Sequence, residues 1–163
     1  MLIRGLMSLL PLVAILPGVP AASADERSQV VGVWSLVSVM YEDQASKAMT
    51  PAFGQKPKGY QIATSDGLWL SLVTADGRFP PKTEAEQARA FTSMLAYSGR
   101  YRVDGNKLTT KVDVAWNKGM VGSDQVRYLR FEGDRMIVES PFMPNPNGSN
   151  SMIRAVVTWQ RAK

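Results

Sequence analysis

Residues 97–116, YSGRYRVDGNKLTTKVDVAW, decide the fold class. Two runs rich in β-branched and aromatic residues, Tyr97–Val103 and Lys107–Trp116, flank Asp104-Gly105-Asn106. That tripeptide supplies the positive φ and the short polar side chains that reverse a strand on itself. The stretch reads as a β-hairpin, and the same grammar extends from it in both directions.

Downstream, Gln125–Phe131 and Arg135–Ser140 are joined by Glu132-Gly133-Asp134, and a Pro-, Asn- and Gly-rich loop, Pro141–Asn150, leads to a last strand, Ser151–Arg161. Upstream, Gly59–Thr64 and Leu68–Thr74 are joined by Ser65-Asp66-Gly67, and Val31–Tyr41 opens the series. The polar stretch Glu42–Pro57 is too long for a tight hairpin and is expected to fold over one end of the sheet. Asp76-Gly77 and Pro80-Pro81 halt the sheet, because proline cannot donate to a ladder. A helix then begins with Thr83 as N-cap and Glu84 and Glu86 in its first turn, where negative charge suits the macrodipole. The spacing of Ala88, Phe91, Met94 and Leu95 predicts a helix to about Ala96 with an apolar face packed across a barrel mouth or wall. Eight strands and one helix result. Such strands close into a barrel or stack as a two-sheet sandwich, and alternation alone leaves both open.

Met1–Ala24 has the layout of a secretory signal peptide: Arg4 at its start, an apolar core from Leu6 to Val19, and Ala22-Ser23-Ala24 as a cleavage site. Pro11 and Pro17 interrupt that core, which is short for a membrane span. The expectation is a periplasmic or secreted protein cleaved after Ala24, not stably inserted in a membrane. The 163-residue chain less those 24 leaves 139, enough for one domain over 25–163 with an unstapled core. Cysteine is absent, which excludes a disulfide scaffold. Of 19 basic and 14 acidic residues, one basic residue, Arg4, departs with the signal, leaving an excess of four. These charges are scattered, so no phosphate-tracking stripe forms and no nucleic-acid partner is expected.

The chain after the signal resembles the bacterial and fungal lipocalin-like domain family, a calycin-type β-barrel. The resemblance is carried by Gly32-Val33-Trp34-Ser35-Leu36-Val37-Ser38, by Gly59-Tyr60-Gln61-Ile62 with the Asp66-Gly67 turn, and by Leu95-Ala96-Tyr97-Ser98-Gly99-Arg100-Tyr101. It continues through Val121–Arg127 and Glu132-Gly133-Asp134-Arg135 to Val157-Thr158-Trp159-Gln160-Arg161. It implies an all-β, closed antiparallel barrel of eight to ten strands and pocketed binding of a small, at least partly apolar molecule. Gly32-x-Trp34 is similar to the Gly-x-Trp of true lipocalins, where the indole closes the barrel floor beneath a basic side chain from the chain's end. Arg161 is the candidate partner, and a guanidinium over an indole gains about 0.5–2 kcal/mol.

Histidine is absent, which removes His-based triads, His general bases and ordinary His-containing metal sites. Members of the family often carry His in the strand occupied here by Thr109–Asp113, so His-dependent chemistry is not carried over. Lys111 and Asp113 share a strand face, and alternation sets that face outside, opposite Leu108, Val112 and Val114. Gln125 and Arg127 share a face with Leu129 and Phe131; an inward Arg127 near the rim suits a carboxylate or other oxyanion, although Val126 and Tyr128 compete for the interior. Trp69, Tyr97, Tyr101 and Trp116 are the aromatic candidates for a pocket lining. Asn147-Gly148-Ser149 is a formal glycosylation sequon. No cofactor, metal site or catalytic group is read from the chain. The leading expectation is an exported protein that binds a small apolar or amphipathic molecule. The alternatives are a barrel isomerase, cyclase or hydrolase working through Asp113, Lys111 or a Tyr/Arg pair, and an interaction module using the barrel as a scaffold.

Overall fold

A computed structural model describes residues 27–163, apart from Asn147 and Ser149. The expected signal segment and the two ends of the sequon lie outside the described residues. Strand β1 (Gly32–Asp43) is followed by a short β2 (Met49–Pro51), then β3 (Lys58–Ala63) and β4 (Leu68–Thr74). After helix α1 (Glu84–Thr92) come β5 (Met94–Asp104), β6 (Lys107–Ala115), β7 (Asp124–Glu132) and β8 (Arg135–Glu139). A two-residue β9 (Met143–Pro144) precedes β10 (Met152–Arg161). All pairings are antiparallel, and β1 pairs with β10 from Trp34↔Arg161 to Asp43↔Ile153. That pairing closes eight strands into a barrel; β2 and β9 extend the β1 and β10 edges beyond it. The sandwich alternative is thereby excluded.

The two ends of the barrel differ. Three tight turns, before β4, β6 and β8, gather at one end with the start of β1 and the close of β10. At the other end stand the four long connections, 44–57, 75–93, 116–123 and 140–151. The tight end is filled. Trp34, Leu108 and Met136 are buried there with Val30, and Phe131 lies 6.3 Å from Trp34 between ring centroids. Each large apolar side chain so buried contributes about 1.5–3 kcal/mol.

Side-chain alternation follows the pleat: on β4, Trp69, Ser71 and Val73 are buried while Leu72 is exposed. Two irregularities shift it. On β5 and β6, Gly99 pairs with Val112 but Ser98 pairs with Val114, so Asp113 is an extra residue. Lys111 and Asp113 do face outward, but the bulge also carries Val114 outside, 67% exposed, where strict alternation set it inward. Lys111 donates to the Gly122 carbonyl at 2.6 Å and pairs with Asp124 at 3.6 Å. A second shift, between Leu36 and Ser38, leaves Val37 outside.

Helix α1 begins as expected. Thr83 accepts from the Glu86 amide, and Glu86 reaches back to the Thr83 amide, a complete capping box. It ends at Thr92, however, and not near Ala96. Met94, Leu95 and Ala96 pair with Thr74, Val73 and Leu72, and a ladder within a closed sheet outweighs continued helical spacing. No residue of α1 is buried, and Ala88 and Phe91 are exposed, so the apolar packing face expected of it is not formed.

Candidate functional site

Between the filled end and the long loops the interior holds a cavity of about 430 Å³. Its position follows from the pleat, since the inner positions of each strand aim at the barrel axis. Val39 and Tyr41 line it from β1, and Ala155, Val157 and Trp159 from the adjoining β10. Opposite stand Trp69, Ser71 and Val73 of β4 with Leu95 and Tyr97 of β5. Phe53, Phe142 and Met143 crowd the open end. Phe142 is held by two cations, with Arg154 at 5.3 Å and Lys47 at 5.6 Å from its ring centroid.

Arg154 also ties the seam where the barrel closes. It bonds Glu42 of β1 at 2.7 Å and Glu139 of β8, joining the three strands that meet there. Partial burial makes this network count for more than an ordinary surface pair.

Two sets of the cavity's polar groups are hydrogen-bonded among themselves, and Asp124 and Ser140 also border it. On the β3–β4 wall, Trp69 Nε1 donates to Ser71 Oγ at 3.1 Å, the Ser71 hydroxyl donates to Gln61 Oε1, and Gln61 Nε2 donates to the Ile62 carbonyl at 3.1 Å. On β7, Arg127 donates to the Val126 carbonyl at 2.7 Å and to Gln125 Oε1 at 3.1 Å, and Gln125 Nε2 donates to Ser123 Oγ at 3.0 Å. Burial pushes the Tyr41 phenol above its ordinary pKa, so it stays protonated.

Trp69, Tyr97, Gln125 and Arg127 therefore meet in one cavity, and the inward face of β7 is the one carrying Gln125, Arg127 and the buried Leu129. Tyr101 and Trp116 stand outside it. Tyr101 packs against Trp69 at 5.8 Å near the tight end, and its hydroxyl donates to the Thr64 carbonyl at 3.0 Å. Trp116 follows β6, packs against Phe91 with ring centroids 5.9 Å apart and planes tilted by 37°, and donates to the Phe91 carbonyl at 3.1 Å. At the tight end, the Arg161 guanidinium lies 4.1 Å over the Trp34 ring, and Trp34 Nε1 donates to the Val30 carbonyl at 2.9 Å. Gly32 sits beside them at φ +134°, and a Cβ there would come within 2.8 Å of the Arg161 guanidinium.

Gln61, Ser71, Tyr41 and Trp159 line the cavity without having been singled out from the sequence. Their strands gave the signal: Gln61 and Ser71 share the inner face with Ala63 and Val73.

The model of the lipocalin-like domain family matches residues 31–162. The chain belongs to the lipocalin-like domain family. No curated protein matches it.

In this lipocalin-like domain the barrel holds a cavity, and Lys111 and Asp113, considered for acid–base work, are on the outer wall. Among the described residues no cluster of three or more acidic side chains is placed to hold a metal, and no helix is long and apolar enough to cross a membrane.

Proposed function

We propose that this lipocalin-like domain binds a small apolar or amphipathic molecule inside its barrel and that the protein is exported. The observation that carries the reading is the cavity: about 430 Å³, walled mainly by apolar and aromatic side chains, with polar groups at a few fixed points. Pockets of about 300–1,000 Å³ with this composition are the usual hosts of small ligands, because apolar surface is transferred from water on binding. Export is supported by the signal-like residues 1–24. Finding the chain in an extracytoplasmic fraction with Asp25 as its first residue tests it.

The binding test uses an environment-sensitive apolar fluorophore, with displacement by fatty acids, aromatics and quinones. The probe should brighten with the wild-type protein and not with Ala155→Trp, in which an indole fills the space beside Tyr41. Equal brightening with both proteins, or none with either, would overturn the reading.

A further inference from the structure

The cavity carries an unbalanced charge. Its polar groups on the β3–β4 wall are satisfied by one another, running from Trp69 through Ser71 and Gln61 to a backbone carbonyl. Arg127 is different. Both of its hydrogen-bond acceptors, Val126 O and Gln125 Oε1, are neutral, and none of the ion pairs among the described residues includes it. Asp124, which also borders the cavity, is paired with Lys111 at 3.6 Å and not with Arg127.

The place is also where the wall parts. β8 meets β7 only from Tyr128↔Glu139 onward, so Asp124–Arg127 pairs with β6 alone. That half of β7, together with Ser140 and Phe142, borders the cavity. A half-buried guanidinium there attracts an anion more strongly than one in bulk water, and its remaining N–H groups present a planar fork. Such a fork matches a carboxylate in two parallel hydrogen bonds.

The geometry points to an amphipathic carboxylate as the ligand. Its apolar body lies against Trp69, Val73 and Val157, and its carboxylate is held by Arg127 where β7 and the segment after β8 separate. This assignment rests on the small-molecule reading above and adds the sign of the ligand's charge.

The test is a titration of tryptophan fluorescence, since Trp69 and Trp159 line the cavity. Decanoate, decanol and decylamine, each below its aggregation threshold at neutral pH, share one tail and differ in the head group. Decanoate should bind on the order of tenfold more tightly than decanol, and decylamine more weakly than either. Arg127→Gln should bring decanoate to the affinity of decanol and leave decanol unchanged, while Arg127→Lys keeps part of the preference. Arg102→Gln removes the same charge from an exposed position on β5 and should keep all of it. Should Arg127→Gln not fold, the wild-type preference still has to shrink between low and high salt. Equal binding of decanoate and decanol, or a preference that survives Arg127→Gln, sinks the carboxylate assignment and leaves the cavity reading standing. Failure of all three probes to bind sinks both.

Discussion

Arg161 covers Trp34: its Cζ stands 4.1 Å from the ring centroid, and its terminal nitrogens donate to the carbonyls of Val31 at 3.0 Å and Gln29 at 2.8 Å. One side chain from the last strand thus fastens the chain's approach to the first strand and shields the indole that plugs the barrel. Replacing it with Ala should cost about 1–2 kcal/mol, read as a lower urea midpoint at unchanged m. Lysine should recover only part of that, because an ammonium has no planar fork for two carbonyls. Full recovery by lysine would contradict the assigned geometry.

Gly32→Ala should destabilise by about 1–3 kcal/mol, well beyond an exposed glycine substitution. The backbone there is at φ +134°, and the new methyl would meet the Arg161 guanidinium at 2.8 Å. Combining Gly32→Ala with Arg161→Ala should cost less than the two changes summed, since the clash disappears with the guanidinium. Strict additivity in a double-mutant cycle would disprove that coupling.

Ser71→Ala leaves Gln61 Oε1 and Trp69 Nε1 without the hydroxyl that joins them. The expected loss is about 1–3 kcal/mol in thermal or urea unfolding. Amide exchange should quicken in β3 and β4 and stay unchanged in the turn between β7 and β8. A variant as stable as wild type would show that the hydroxyl is not needed to satisfy that wall.

Three surface carboxylates are held below their ordinary range by hydrogen bonds to the ionised form. Asp43 accepts from the Ser46 amide and hydroxyl, Asp66 from the Thr64 hydroxyl and then Arg100, and Glu86 from the amides of Lys82 and Thr83. Their folded pKa values lie below the unfolded ones. Their stabilisation is therefore complete above the unfolded values and is lost as pH falls through the folded ones. Acidification should loosen the start of α1 and the turns at Asp43 and Asp66 before the barrel itself. Carboxyl carbon NMR titration checks it; a Glu86 that titrates at or above a free glutamate would refute the capping account.

Most of the barrel was legible because its turns carry chemistry that only a reversal explains, as at Asp104-Gly105-Asn106 and Glu132-Gly133-Asp134. Closure could be expected from the resemblance but not computed from alternation, since β1 and β10 meet across nearly the whole chain. The extra residue at Asp113 was invisible because nothing in Lys107–Trp116 breaks the period, and it reversed Val114. Helical spacing ran on past Thr92 because Leu95 serves an inner strand position as readily as a helical one. Gln61 and Ser71, both buried, are polar residues on inner faces. A lone polar residue reads as facing water, although Ala63 beside Gln61 and Trp69 and Val73 on either side of Ser71 mark that face as the inner one. Arg127 was readable as a rim cation only once Leu129 beneath it fixed which side of β7 is inside.

The asymmetry of the barrel's ends has a practical side. The last strand finishes beside Trp34, away from the four long connections that surround the cavity's opening. A dye or tether attached beside Arg161 stands at the opposite end of the barrel from the cavity's opening. On the proposed binding reading, immobilisation by that far end would keep the rim facing solution, so that changes to the long connections act on what the cavity admits while the hairpin turns stay out of reach.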